Sequence, residues 1–511
     1  MSKIRSMNFL FLALLIAALS VVSPSAQAQH TDSVYNGWIS AYQVTDGSNF
    51  YLAKSFTDRS AGFWSQGYLI FEAQDAYFQS HKASRYAQVV QLLDDFLAKN
   101  PVSGWTNDTW DDDLEWIVYA YIRGYEITGN TTYLNAATST WNAVYSRGRD
   151  NTFGGGIWEE NGGRDSKCVL SNAPFVIEGM ELYRATGTST YLTESEEIYA
   201  WTRANLFNST NSTNSLGAPG QANECIHSYG LSASDTVYNT SLMVNAATAL
   251  YRDTQTASYL SDAQLAASHI MSNWPIMNKD YPQNGYFSGD QFYRGISALA
   301  TQNNLWGTYQ TYVQNNANAA WNTRRTDYNI SHNDWTTTTP GGTSPDLYAM
   351  EAAASVDVQA ALPLTSSFSG NYEIQNVNSG LALDIAGGST SGGAAVVQNT
   401  YTGTSSQLWT LVATAGGYYQ IKNVKSGLVL NVKGHSTTSQ ALIQQYAAQG
   451  PTPGNDRWFP AWNVADSTYS FYNLNSQMAL DVPGASKSTG VQLEQYFTNN
   501  NTNQKFNLIS R

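Results

Sequence analysis

The sequence predicts a multidomain chain, an all-α body followed by an all-β tail, and three observations carry that reading. Amphipathic runs between about Ser60 and Leu362 come in pairs joined by a recurring tight punctuation. Beyond Leu362 the pattern changes to short strand-like segments in three alignable copies. Between the two lies a short polar joint, Thr365-Ser366-Ser367-Phe368-Ser369. At 511 residues the chain is long enough for more than one domain.

Residues 1–28 have the form of a secretory signal. Lys3 and Arg5 precede an apolar run from Phe9 to Val22, and Ala26-Gln27-Ala28 offers a cleavage site before Gln29. The run is short for a permanent span. The expectation is a soluble protein, extracellular or periplasmic, acting as a monomer without a membrane partner. Without residues 1–28 there are 24 basic and 39 acidic residues, a net charge of −15. That balance opposes nucleic acid as a partner, since phosphate contacts need a basic face. Aromatics make up 13% of the chain and charged residues only 13%, a balance common where flat rings stack on sugar faces. Cys168 and Cys225 are the only cysteines, and sequence leaves open whether they pair. No metal-ligand spacing exists among the cysteines or the six histidines, so neither metal nor cofactor is expected.

In the body, Phe63 to Phe78 and Tyr86 to Leu97 carry apolar residues at helical spacing. The punctuation then reads Thr128-Gly129-Asn130, Thr186-Gly187-Thr188 and Thr254-Gln255-Thr256, each followed by a Tyr-Leu pair and a second amphipathic run. Such a repeat of helical hairpins argues for a closed ring or a solenoid. In a ring the inner helices are the more apolar, and the long loops gather at one end. Those loops are Phe153–Trp158, Asn208–Asn223 and Asn284–Phe287.

One stretch stands out: Trp110-Asp111-Asp112-Asp113-Leu114-Glu115-Trp116. Asp at a helix start meets free N–H groups and the positive end of the dipole. One Asp would be explained so; three between tryptophans exceed what a cap requires. Their place at a loop-to-helix junction predicts that they face a cleft.

Five motifs in order resemble glycoside hydrolase family 76, the endo-α-1,6-mannanases with an (α/α)6 barrel, over about residues 35–362. They are Asp112-Asp113-x-x-Trp116, Phe153-Gly154-Gly155-Gly156-Ile157-Trp158, Lys167-Cys168-Val169-Leu170-Ser171-Asn172-Ala173-Pro174, Tyr238-Asn239, and Phe292-Tyr293-Arg294-Gly295-Ile296. The chain departs at Glu159, where a second Trp is usual, at Cys168 for Asn, and at Thr240-Ser241. The resemblance implies Asp112 as nucleophile and Asp113 as acid/base. It also places Asn172, Tyr238, Asn239 and Arg294 at substrate hydroxyls, with Trp110 and Trp158 as stacking surfaces. Asp111 is left outside the pair, with capping as its expected job.

The spacing itself speaks to mechanism. Retaining glycosidases hold their carboxyl groups ~5–5.5 Å apart and inverting ones further. Adjacent helix positions place two Asp side chains at the short separation, which favours a covalent intermediate. The resemblance implies the same.

The tail repeats Tyr372–Gly380, Tyr419–Gly427 and Tyr469–Gln477, leading to Asp384, Asn431 and Asp481, 47 and 50 residues apart. With the endings Gln407-Leu408-Trp409, Asp456-Arg457-Trp458 and Gln504-Lys505-Phe506, residues 370–511 resemble the ricin-B-type β-trefoil lectins. The resemblance implies a sugar pocket from Asp481, Tyr496, Asn503 and Gln504, and another from Asp384 and Gln407, where Asn399 replaces the aromatic. The second repeat departs most, with Asn431 for Asp and Asp456 for Gln.

The expected organisation is thus a signal (1–28), an (α/α)6 barrel (29–362), a linker (363–369) and a β-trefoil (370–511). The expected function is secreted retaining endo-hydrolysis of α-mannan, with the lectin as tether. A transglycosylase passing the same intermediate to a sugar acceptor is the near alternative, and a non-catalytic glycan-binding protein the remote one.

Overall fold

The computed structural model describes residues 24–278, 289–364 and 367–511. Most of the predicted signal, the Asn284–Phe287 loop and two linker residues lie outside them.

The body opens with α1 (Pro24–Tyr42), a small hairpin of β1 (Gln43–Asp46) and β2 (Asn49–Leu52), α2 (Phe63–Ser80), α3 (Ala83–Lys99), α4 (Asp111–Thr128) and α5 (Thr131–Gly148). A strand β3 (Ser166–Cys168) leads into α6 (Val169–Thr186) and α7 (Ser189–Asn205). The hairpin β4 (Cys225–His227) and β5 (Gly230–Ser232) precedes α8 (Val237–Thr254), α9 (Ala257–Asn273), α10 (Asp290–Gln302), α11 (Trp306–Thr323) and α12 (Ala349–Ala360). The even-numbered helices touch in the order α2, α4, α6, α8, α10, α12 and back to α2, and each odd-numbered helix packs outside. This is the closed ring, an (α/α)6 barrel, with the solenoid excluded.

The punctuation shows its physics. Gly129, Gly187 and Gln255 end α4, α6 and α8 in the left-handed region, at φ 71°, 71° and 57°. The preceding Thr128, Thr186 and Thr254 donate to the carbonyls of Gly124, Leu182 and Leu250 and accept from the N–H two residues on. One threonine thereby stops an inner helix and starts the turn to an outer one. The inner helices are buried almost all round, with every residue of α8 from Val237 to Leu250 buried.

The tail holds four-strand repeats. The first is β6 (Tyr372–Asn376), β7 (Ala382–Ile385), β8 (Val396–Asn399) and β9 (Trp409–Ala413). The second is β10 (Tyr419–Asn423), β11 (Val429–Val432), β12 (Ile443–Tyr446) and β13 (Trp458–Asn463). The third is β14 (Thr468–Asn473), β15 (Ala479–Asp481), an interrupted strand of β16 (Val491–Gln492) and β17 (Glu494–Tyr496), and β18 (Phe506–Ser510). The pairs Tyr372↔Trp409, Tyr419↔Trp458 and Tyr469↔Phe506 close a six-stranded barrel with threefold pseudosymmetry. Trp409 and Trp458 are fully buried and donate from Nε1 to the Leu383 and Leu430 carbonyls, at 3.2 and 3.1 Å. Phe368, from the expected linker, packs edge-on against Tyr372, Tyr419 and Tyr469, so that residue belongs to the trefoil.

All six inner helices run the same way, and the trefoil seats on their C-terminal ends. His81, just past α2, stacks on Tyr472 at 3.8 Å. Tyr125 meets Phe497, Tyr77 shares a hydrogen bond with Thr498, and Arg184 donates to the Asn475 carbonyl. A cavity of about 260 Å³ remains between the domains, walled by Arg123, Arg184, Arg252, Arg294, Tyr418 and Phe459. It lies at the opposite end of the barrel from the aspartate run.

Candidate active site

The aspartate run begins α4. Trp110 is the N-cap residue and makes no side-chain cap. The Asp111 N–H donates instead to the Glu159 carbonyl at 2.8 Å, so the loop after the glycine run closes the helix. Asp111 does not cap as expected. It is fully buried, and its Oδ1 accepts from Arg147 Nε of α5 at 2.5 Å. Burial lifts its pKa to about 6 against the pull of Arg147.

Asp112 and Asp113 follow, part-exposed at the loop-lined end of the barrel. Asp112 is pushed well above the ordinary carboxylate range, first by burial and then by the charges of Asp113 and Glu159. Backbone N–H groups of the helix start pull it the other way. Asp113 is raised to about 7 by burial and by a carboxyl–carboxyl contact with Asp108. Two adjacent acids in this setting titrate as one unit and keep a proton at neutral pH. Among the described residues, Asp112 Oδ1 is buried without a hydrogen-bond partner. A buried bare acceptor is costly.

The glycine loop is a tightly folded cradle. Phe153, Gly154, Gly155 and Gly156 all have positive φ, and a Cβ on Gly156 would run into the Trp201 ring. The Gly155 and Gly156 carbonyls accept from buried Lys167 Nζ, at 2.8 and 2.9 Å. Asn172 accepts from the Ile157 N–H and donates to the Ile157 and Cys168 carbonyls. Trp158 donates to Asp150 and lies under Lys167. Asn172 and Trp158, expected at the substrate, are therefore committed to holding the loop. Both are buried, and every polar atom of the Asn172 amide is in use.

Arg294 is a further correction. Its guanidinium donates to Asp75, Glu72 and Gln291 within the barrel and faces the interdomain cavity. A charge sunk among acids is held by them, which removes it from the cleft. Tyr238 does reach the site: it opens α8, its ring is 6.4 Å from Trp116, and Asp112 is the first charge acting on it. Asn239 is buried in the same first turn, its N–H on Thr236. Trp110 is 43% exposed at the mouth, bridged through its backbone to Glu160.

Four acids escaped the sequence reading. Asp108 and Glu159 act on the pair from the loops. Glu115 and Glu178 lie beneath it in the barrel, fully buried, with no hydrogen-bond partner at any carboxyl oxygen among the described residues. Burial holds both well above the usual carboxylate range. Glu178 was detectable as a lone acid inside the apolar run Ala173–Met180. Glu115 was detectable as the residue one turn beyond Asp112.

Cys168 and Cys225 form a disulfide between β3 and β4, next to this end of the barrel. Glu159 stands close to both sulfurs, but bonded sulfurs are not thiolates and offer a metal nothing. Glu72, Asp290 and Asp357 also cluster in the barrel, where Arg294 and Tyr68 engage them.

The Glycosyl hydrolase family 76 profile matches residues 27–367. The chain belongs to this family. The family 76 enzyme is thus a glycoside hydrolase, and a Ricin-type beta-trefoil lectin domain-like profile matches its residues 362–446 and 454–511. Solved structures agree on the fold of the body. An α-1,6-mannanase from Salegentibacter sp. HEL1_6 superposes with TM-score 0.58 at 20% identity, over 66% of this chain and 98% of its own. The Lin0763 protein from Listeria innocua gives 0.58 at 20%, over 66% and 96%. A family 76 glycoside hydrolase from a bovine Bacteroides thetaiotaomicron strain gives 0.54 at 19%, over 65% and 76%. A variant of the Salegentibacter mannanase with two consecutive aspartates replaced by alanine is described as inactive, in complex with α-1,6-mannotetrose. A comparison with curated protein sequences finds no match.

In the lectin domain of this family 76 enzyme, Asp481 Oδ2 accepts from Asn503 at 2.5 Å, and Asp384 Oδ2 accepts from Asn399 and Gln407 at 3.1 and 3.3 Å. Gln504, expected at the sugar, clasps its own loop: Oε1 takes the Asn499 N–H and Nε2 donates to Phe497. Gln407 takes the Thr402 N–H in the same way while its Nε2 still reaches Asp384. Asp456 does this job in the second repeat by accepting from Gln449. The position is a loop clasp, which explains how a carboxylate replaces an amide there. The third pocket adjoins the barrel seam, since Phe497 next to half-buried Tyr496 packs on Tyr125.

Proposed function

We propose that this protein is an exported, retaining endo-α-1,6-mannanase whose trefoil tethers it to polysaccharide. The observation that carries the reading is the Asp112-Asp113 pair, with its bare Oδ1, at the mouth of a family 76 barrel. Asp112, cradled by the N-terminal amides of α4, attacks the anomeric carbon; Asp113 protonates the departing oxygen and then deprotonates water. Adjacency keeps the carboxyl groups at the separation that retention uses. The mannanase likeness, with its consecutive aspartates and bound α-1,6-mannotetrose, supports α-1,6-mannan as substrate.

The lectin sits ~27 Å from the catalytic pair, the length of an 18-residue helix at 1.5 Å per residue. It therefore holds polymer away from the chain being cut and raises the local enzyme concentration. The test is incubation with linear and branched α-1,6-mannans, following released oligosaccharides and the anomer formed first. Internal cleavage with an α-anomeric first product is expected. Release of single mannoses only, or a β-anomer, overturns the endo or the retaining assignment respectively.

A further inference from the structure

We infer that the hairpin β4–β5 is a glycan-binding platform extending the cleft, with Tyr229 as the stacking surface for a sugar ring beyond the residues next to the scissile bond. The inference rests on the mannanase reading above and adds a binding element to it.

Tyr229 is 81% exposed at the tip of a two-residue turn, ahead of Gly230 at φ 123°. Its ring lies flat on His227, with centroids 4.6 Å apart and planes within 9°. A free surface tyrosine would sample several rotamers. This one is held in a single orientation by stacking, with one face still open, so little rotamer freedom is lost when a ring lands on it.

The hairpin's alternation says where that face points. Cys225 and His227 share one side of β4, and their cross-strand partners Cys168 and Ser166 share the same side of β3. On that side Cys225 is bonded to Cys168, and Ser166 Oγ donates to Glu159 at 2.7 Å. Glu159 acts directly on Asp112 and Asp113, and His227 acts on Glu159. Contacts therefore run from Glu159, beside the catalytic pair, through Ser166 to its cross-strand partner His227 and on to the stacked ring of Tyr229. The cross-strand step from Ser166 to His227 spans ~5 Å and the Tyr229 ring lies 4.6 Å beyond the His227 ring, a reach that suits a sugar further along the chain. The disulfide pins the base of the hairpin to the start of α6, and the Val169 N–H on the Glu224 carbonyl at 2.9 Å adds a second tie. A platform fixed to the barrel frame in this way keeps its register with the catalytic pair. The occupant is a neutral hexopyranose chain, because the acids along the line repel an anionic glycan.

The test is kcat/KM on α-1,6-mannotriose through α-1,6-mannohexaose for wild type, Tyr229→Ala and Tyr229→Trp. Wild-type kcat/KM rises with length. Tyr229→Ala loses that rise, falling about tenfold on the hexaose, the scale of one aromatic stacking contact, and stays near wild type on the triose. Tyr229→Trp retains the rise. Wild-type behaviour of Tyr229→Ala at every length, or an equal loss at every length, overturns the platform. Wild-type protein that cleaves none of these glycans overturns the mannanase reading. Calorimetric binding of the hexaose by Asp112→Asn, with and without Tyr229→Ala, then judges the platform by itself: unchanged affinity overturns it.

Discussion

Asp112 and Glu115 near the start of α4 and Glu178 midway along α6 carry carboxyl oxygens with no hydrogen-bond partner among the described residues. Toward the C-terminal ends of the inner helices four arginines stand among the acids, although Glu72 and Asp357 keep oxygens without a hydrogen-bond partner among the described residues and Glu126 is raised to about 8. Arg123 meets Asp75, Arg252 meets Glu181, Arg184 meets Asp253, and Arg294 meets Glu72 and Asp75. The arginines sit toward the helix ends whose dipole favours a cation. The difference is that Glu115 and Glu178 have no hydrogen-bond partner among the described residues, while the arginines under the trefoil each meet an acid. Uncompensated buried acids are costly to a fold and useful to a reaction, because proton affinity held high is available to a leaving group. Matched ones lock a frame.

The sharpest break of this contrast is at the cleft. Asp112→Asn and Asp113→Asn should each lower kcat by at least about 10³-fold, the scale of losing a positioned acid or nucleophile. Neither should lower Tm at pH 7, because each removes a destabilised charge. Near-normal turnover in either variant would sink the assignment.

At the opposite end the effect should be reversed. Arg294→Ala strands Glu72 and Asp357, leaves Asp75 to Arg123 alone, and should cost about 3–5 kcal/mol of unfolding free energy in urea, while kcat of the folded fraction stays unchanged. A variant of normal stability and reduced kcat would show that the sealed end takes part in the chemistry.

Next in size is the disulfide, which closes a chain separation of 57 residues at the catalytic end. Replacing both cysteines by serine should lower stability by about 2–4 kcal/mol, measured by thermal and urea unfolding of the oxidised wild type against the variant.

The smallest effect is a pH slope. In the proposed mechanism Asp113 works in its protonated form, and it is raised to about 7, so kcat should fall as pH rises through about 7. The same shift sets a stability trend. The folded site keeps a proton that the unfolded chain releases above its ordinary value of 3.8, so the site's contribution is full below 3.8 and is lost as pH rises to about 7. Asp113→Asn should flatten that slope in a series of urea titrations, and an unchanged slope would assign the trend to other groups. His81, buried against the trefoil and lowered to about 3, acts oppositely and loses stability as pH falls below 6.5.

Much of this was legible in the chain itself. The helical hairpins showed in the Thr-Gly punctuation because a left-handed stop needs a small set of residues. The trefoil showed because three copies of one strand pattern repeat its threefold geometry. The adjacency of Asp112 and Asp113 is a covalent fact that survives any fold. Only the tertiary structure decided what each polar residue faces. Asn172, Trp158, Gln504 and Arg294 sit in motifs that suggest substrate contacts, yet the fold turns them onto protein partners, 5 residues away for Gln504, 8 for Trp158 and 222 for Arg294. Those partners consume the groups before a ligand can. Conversely, Glu115 and Glu178 become a pair only when α4 and α6 pack side by side, and Cys168 finds Cys225 only through the register of β3 with β4. A sequence fixes which groups exist and how neighbours along the chain are spaced. Whether a buried carboxyl is compensated depends on groups brought in from elsewhere, and compensation is what separates the frame from the site.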